Sequence, residues 1–124
     1  MTAPTVPTGA SAEDRQALRE AVAGFLADRN TEADVRRIMA TPEGHDAKVW
    51  SQLAELGLQG LPIPEVHGGA GSTFEEVGVV LEELGRSLYP GPYLATAIAT
   101  QLLLAADDEA LSARHLPAIA AGEL

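Results

Sequence analysis

Cysteine is absent from the sequence, which excludes disulfides, thiolate nucleophiles and thiolate metal sites. Aromatic residues are scarce, at 4% of the chain, although hydrophobic residues as a whole reach 46%. A core must then be built from Leu, Val, Ile and Ala, a mixture that helix bundles use readily and strand-rich domains less so. Positive charge is thin as well: 8 Lys and Arg stand against 18 Asp and Glu, for a net charge of −10. With no basic stripe to neutralise phosphates, nucleic acid and anionic membranes are disfavoured as partners. No apolar run approaches the roughly 20 residues a membrane span needs. No basic region followed by an apolar one argues for export, so the cytoplasm is the expected location. The three histidines, His45, His67 and His115, have no spacing that puts two on one helix face, and no metal site is expected.

At 124 residues the chain is one domain of ordinary size, able to bury a modest core. Met1 to Ala10 has no periodicity and is expected to be a disordered lead-in to a domain spanning residues 11–124. Every periodic stretch beyond it repeats at the helical 3.6 and none alternates over a useful length, so the fold class is all-α, a bundle of five or six helices. Ser11 with Asp14 is a capping-box-like start for a helix over Ala12 to Asn30, with Leu18, Val22, Phe25 and Leu26 as its stripe. Thr31 with Asp34 marks a second start, and Thr41-Pro42 reads as a third cap with proline at the first helical position. The helix carrying Val49, Trp50, Leu53 and Leu56 follows, and Gly57 sits where a left-handed cap belongs.

The stretch from Leu58 to Ser72 holds an apolar connector stiffened by Pro62 and Pro64, then a sharp turn made possible by Gly68, Gly69 and Gly71. Ser72 with Glu75 reads as a capping box for a helix whose stripe is Phe74, Val77, Leu81, Leu84 and Leu88, with Glu75, Glu76, Glu82 and Glu83 off that stripe on a solvated face. Pro90-Gly91-Pro92 breaks the chain before Leu94 to Ala106, a segment apolar nearly all round that must be covered on most sides. Asp107-Asp108-Glu109 opens the last helical region, which Pro117 is expected to kink or restart.

Chemistry is sparse. The glycine turn superficially resembles a phosphate cradle, but no lysine follows and no strand precedes it, so a structural turn is preferred. Tyr89 and Tyr93, flanking the Pro-Gly-Pro break, either pack as core or face a cavity.

Four segments in order, Trp50-x-x-Leu53-Ala54-Glu55-Leu56-Gly57-Leu58, Pro64-Glu65-x-His67-Gly68-Gly69-x-Gly71, Glu82-Glu83-Leu84-Gly85-Arg86 and Leu116-Pro117-x-Ile119-Ala120-x-Gly122-Glu123, resemble the amino-terminal helical domain of the acyl-CoA dehydrogenases. His67 stands where family members more often carry an aromatic residue. The run from Pro90 to Thr96 also resembles actinobacterial members that act on sterol or other bulky acyl groups.

The resemblance implies a flavoenzyme that oxidises acyl-CoA to enoyl-CoA, with FAD held between a β-domain and a second helical domain that lie beyond this segment. The catalytic glutamate is expected there too, so no catalytic residue is assigned to this chain. The segment from Tyr89 to Thr100 is implied to form a wall of the acyl pocket, with Tyr89, Tyr93, Thr96, Ala97 and Thr100 as candidate substrate-binding residues. The implied partners are acyl-CoA, the remaining domains or a partner acyl-CoA dehydrogenase subunit, and an oligomer is expected. The alternative is a stand-alone helical module of the same descent that binds a partner subunit without chemistry.

Overall fold

The computed structural model describes residues 10–124; the lead-in expected over Met1 to Ala10 lies, but for Ala10, outside the described residues. The described residues form six α-helices and no strand: α1 Ala12–Arg29, α2 Glu32–Met39, α3 Ala47–Glu55, α4 Phe74–Arg86, α5 Tyr93–Ala106 and α6 Glu109–Ala120. A single 3₁₀ turn, Glu65–His67, lies between α3 and α4.

Local chemistry sets most of the boundaries. Ser11 with Asp14 and Thr31 with Asp34 form reciprocal capping boxes, each satisfying two amides that the first helical turn leaves free. Gly57 takes the left-handed conformation at φ +80° after α3. Two starts fall elsewhere than the sequence suggests. Thr41 begins no helix: its hydroxyl donates to the Ile38 carbonyl at 2.7 Å and accepts from Gly44 N–H at 3.2 Å, closing the turn after α2. Asp46 is the cap of α3, accepting from Lys48 N–H at 2.9 Å and Val49 N–H at 3.4 Å.

The cap of α4 is Thr73 rather than Ser72, paired with Glu76 rather than Glu75. Ser72 N–H is committed to the Leu61 carbonyl at 2.8 Å. Glu76 accepts from Thr73 N–H at 2.9 Å and from Ala10 N–H at 2.7 Å, so one carboxylate starts α4 and anchors the approach to α1. Pro117 does not restart α6, for the helix runs unbroken from Glu109 to Ala120 with the proline inside it.

The main core joins Val22 and Leu26 of α1, Trp50 and Leu53 of α3, Val77, Val80 and Leu84 of α4, and Tyr93 and Ala97 of α5. Packing of α1 along α4 buries two acids that the sequence places on a solvated face. Glu76 is 2% exposed and Glu83 is 5% exposed, the latter paired to Arg19 at 3.0 Å. Ile63, Leu116 and Ile119 make a smaller core under α6. Gly69 is required there, because a Cβ on it would stand 2.0 Å from the Ile63 carbonyl oxygen.

Candidate functional site

The first turn of α5 is built on two tyrosines and a glycine. Tyr89 folds its ring back over Gly91, where a Cβ would meet the ring 2.4 Å away. Burial, helped by the nearby Asp46 charge, pushes the Tyr89 phenol up to about 12. Tyr93 is buried, donates its hydroxyl to the Leu58 carbonyl at 2.7 Å and meets Trp50 edge-on with ring centroids 6.5 Å apart. Burial raises the Tyr93 pKa as well. At pH 7 both hydroxyls are therefore neutral.

From that start α5 presents two faces. Tyr93, Ala97 and Thr100 point into the domain, and Thr96 is half-buried at the edge. The Thr100 hydroxyl donates to the Thr96 carbonyl at 2.8 Å, so its one polar group is satisfied within the helix. The opposite face is apolar and bare. Leu94, Ile98 and Leu102, four residues apart, are 55%, 50% and 67% exposed, and Ala95 and Ala99 are exposed beside them. No charged residue occurs from Tyr93 to Ala106. Of the five residues singled out from the sequence, the structure thus turns three inward, leaves Thr96 at the margin and holds Tyr89 half-buried at the hinge. Sequence reasoning does not single out Leu94 or Ile98 and assigns Leu102, with Leu103 and Leu104, to core filling, whereas Leu102 is exposed. The i, i+4 spacing is visible, but an apolar helix offers no polar face to orient it.

Such a surface can exclude water and shape a hydrophobic ligand, and it carries no acid, base or nucleophile. Elsewhere a groove of about 910 Å³ runs between the end of α1, α2 and the end of α4, with Met39 and Leu88 exposed along it. The glycine turn is a closed structural element. Gly69 N–H donates to the Pro64 carbonyl at 3.2 Å, Ala70 N–H to Gly60 at 3.0 Å and Gly71 N–H to Ile63 at 2.8 Å. Its amides are spent on the backbone, so these residues do not fit a phosphate of FAD or of any nucleotide. Among the described residues no group of three or more His, Cys, Asp or Glu could hold a metal ion, and no helix is long and apolar enough to cross a membrane.

Residues 12–123 match the family model described as acyl-CoA dehydrogenase, N-terminal domain. The chain is 45% identical over 95 residues to acyl-CoA dehydrogenase IpdE2 of Mycobacterium tuberculosis, covering 76% of this chain and 30% of that relative. It is 42% identical over 74 residues to (2S)-methylsuccinyl-CoA dehydrogenase of Cereibacter sphaeroides, covering 58% of this chain and 14% of that one. A solved structure titled as a variant of the Tcur3481-Tcur3483 steroid ACAD superposes with a TM-score of 0.80 and 31% identity, over 89% of this chain and 30% of that chain. The chain therefore spans less than a third of the length of each of these proteins.

Proposed function

The chain belongs to the acyl-CoA dehydrogenase family as its amino-terminal helical domain, and from that premise we propose that it serves an FAD-dependent enzyme of the cytoplasm by forming one wall of the acyl pocket. The observation that carries this reading is the outward face of α5. In a chain of net charge −10, Leu94, Ile98 and Leu102 form a bare ridge with no charge on the helix. Exposed apolar surface of this kind marks a ligand-binding or protein contact. The small Ala95 and Ala99 beside the ridge leave room for a wide acyl group, and the steroid in the structural neighbour's title supports a bulky substrate.

On this reading Thr96 borders the acyl group directly. Tyr89, Tyr93, Ala97 and Thr100 serve the pocket from behind by fixing where α5 starts and how closely it packs. Chemistry at the α-carbon and the flavin that accepts the electrons belong to other domains; this chain binds, orients and excludes water. The remaining domains or a partner subunit cover what the acyl group leaves of the ridge, within an oligomer.

The test is substitution to Phe in the full-length enzyme. Ala95→Phe or Ala99→Phe is expected to cut turnover of long or branched acyl-CoAs while short ones keep theirs, with the melting temperature little changed. Ala97→Phe, pointing into the core, is expected to lower stability and all turnover together by overpacking. Equal loss on every acyl length in the Ala95 and Ala99 variants would remove α5 from the pocket.

A further inference from the structure

The Tyr89 hydroxyl is enclosed and has no hydrogen-bond partner among the described protein atoms. Buried hydroxyls rarely stay so, because the desolvation penalty is then uncompensated. Tyr89 also lines a hollow of about 10 Å³ whose other polar lining residues are Arg29, Asn30, Asp34, Arg37 and Asp46. That volume admits about one water molecule and nothing larger.

Charge selects the occupant further. Two guanidiniums oppose a cation, and two carboxylates oppose an anion, so a neutral molecule that both donates and accepts fits best. Several of the groups are already engaged: Asn30 Nδ2 donates to the Ser87 carbonyl at 2.9 Å, and Arg37 pairs with Asp34 at 3.3 Å. Asp46 Oδ1 caps α3 through Lys48 and Val49, leaving Oδ2 without a protein donor among the described residues. Tyr89 therefore has a donor to spend and Asp46 an acceptor to fill, and both residues line a hollow the size of one water.

We propose that this hollow is a binding site for one ordered water that bridges the Tyr89 hydroxyl and the Asp46 carboxylate. The bridge ties the cap of α3 to the Pro90-Gly91-Pro92 hinge, and so holds the start of α5 in place. It stands or falls independently of what the outer face of α5 binds.

The sign of a stability change tests it. Tyr89→Phe keeps the ring's shape. If the hydroxyl is bridged, its removal lowers the melting temperature of the full-length protein; if it is partnerless, removal is neutral or stabilising. A crystal structure of the unmodified protein, at a resolution that shows ordered waters, is expected to place one within hydrogen-bond distance of both Tyr89 Oη and an Asp46 carboxylate oxygen. The same position should be vacated or displaced in the Phe variant. No water joining the two groups, or an unchanged or raised melting temperature in Tyr89→Phe, overturns the proposal. Should the variant not fold, the unmodified crystal structure decides alone.

Discussion

The Tyr93 hydroxyl donates to the Leu58 carbonyl across 2.7 Å, binding the first turn of α5 to the segment that leaves α3. The bond is buried and spans 35 residues of sequence, so it sets where α5 sits as well as adding stability. Tyr93→Phe keeps the edge-on contact with Trp50 but leaves the Leu58 carbonyl only the long 3.5 Å bond from Leu61 N–H, and should cost about 0.5–1.5 kcal/mol. Chemical denaturation would show this as a lower midpoint with an unchanged slope. A variant as stable as the parent would mean that Leu61 N–H alone satisfies the Leu58 carbonyl.

Glu76 makes the acid limb of stability predictable. Burial by itself would raise its pKa, but hydrogen bonds from the Thr73 hydroxyl, from Ala10 N–H, from its own N–H and from Thr73 N–H outweigh burial and hold it below the ordinary 4.5. A carboxylate depressed in the folded state contributes stability that is complete above its unfolded pKa and fades as pH falls through the folded one. Stability should therefore drop as the pH goes below the ordinary 4.5 of a free glutamate. Glu76→Gln, with no proton to gain, should be less stable at pH 7 and show a shallower acid limb. Parallel pH profiles for parent and variant would contradict this.

Much of the fold was legible in the sequence. The caps at Ser11 and Thr31 and the stop at Gly57 are local devices, readable because each is complete within a few residues. The start of α4 was not, because Ser72 and Thr73 are both plausible caps. The choice is made at a distance, by Ala10 on Glu76 and by Leu61 on Ser72 N–H. Glu83 is buried because Arg19, 64 residues away, meets it at 3.0 Å, and no spacing rule announces that partner. The orientation of α5 was illegible for a related reason. Ala97 and Ile98 are neighbours of similar character, yet one is 6% and the other 50% exposed. Only the fit of Tyr93 and Ala97 against Trp50 and Leu58 decides which faces in.

The bare ridge should make the isolated 124-residue chain associate with itself, since contiguous apolar surface seeks cover. Sedimentation velocity is expected to show oligomers that grow with concentration. Ile98→Glu combined with Leu102→Glu should return the chain to a monomer with its helix content intact. A clean monomer of the unmodified chain at high concentration would show that the ridge needs no partner.

The central claim is that the outward face of α5 touches the acyl group, and a structure of the full-length protein with a bound acyl-CoA tests it most directly. The account predicts acyl carbons within about 4.5 Å of side chains among Leu94, Ala95, Ile98 and Ala99. An acyl chain lying elsewhere, with that face wholly covered by protein, would contradict it.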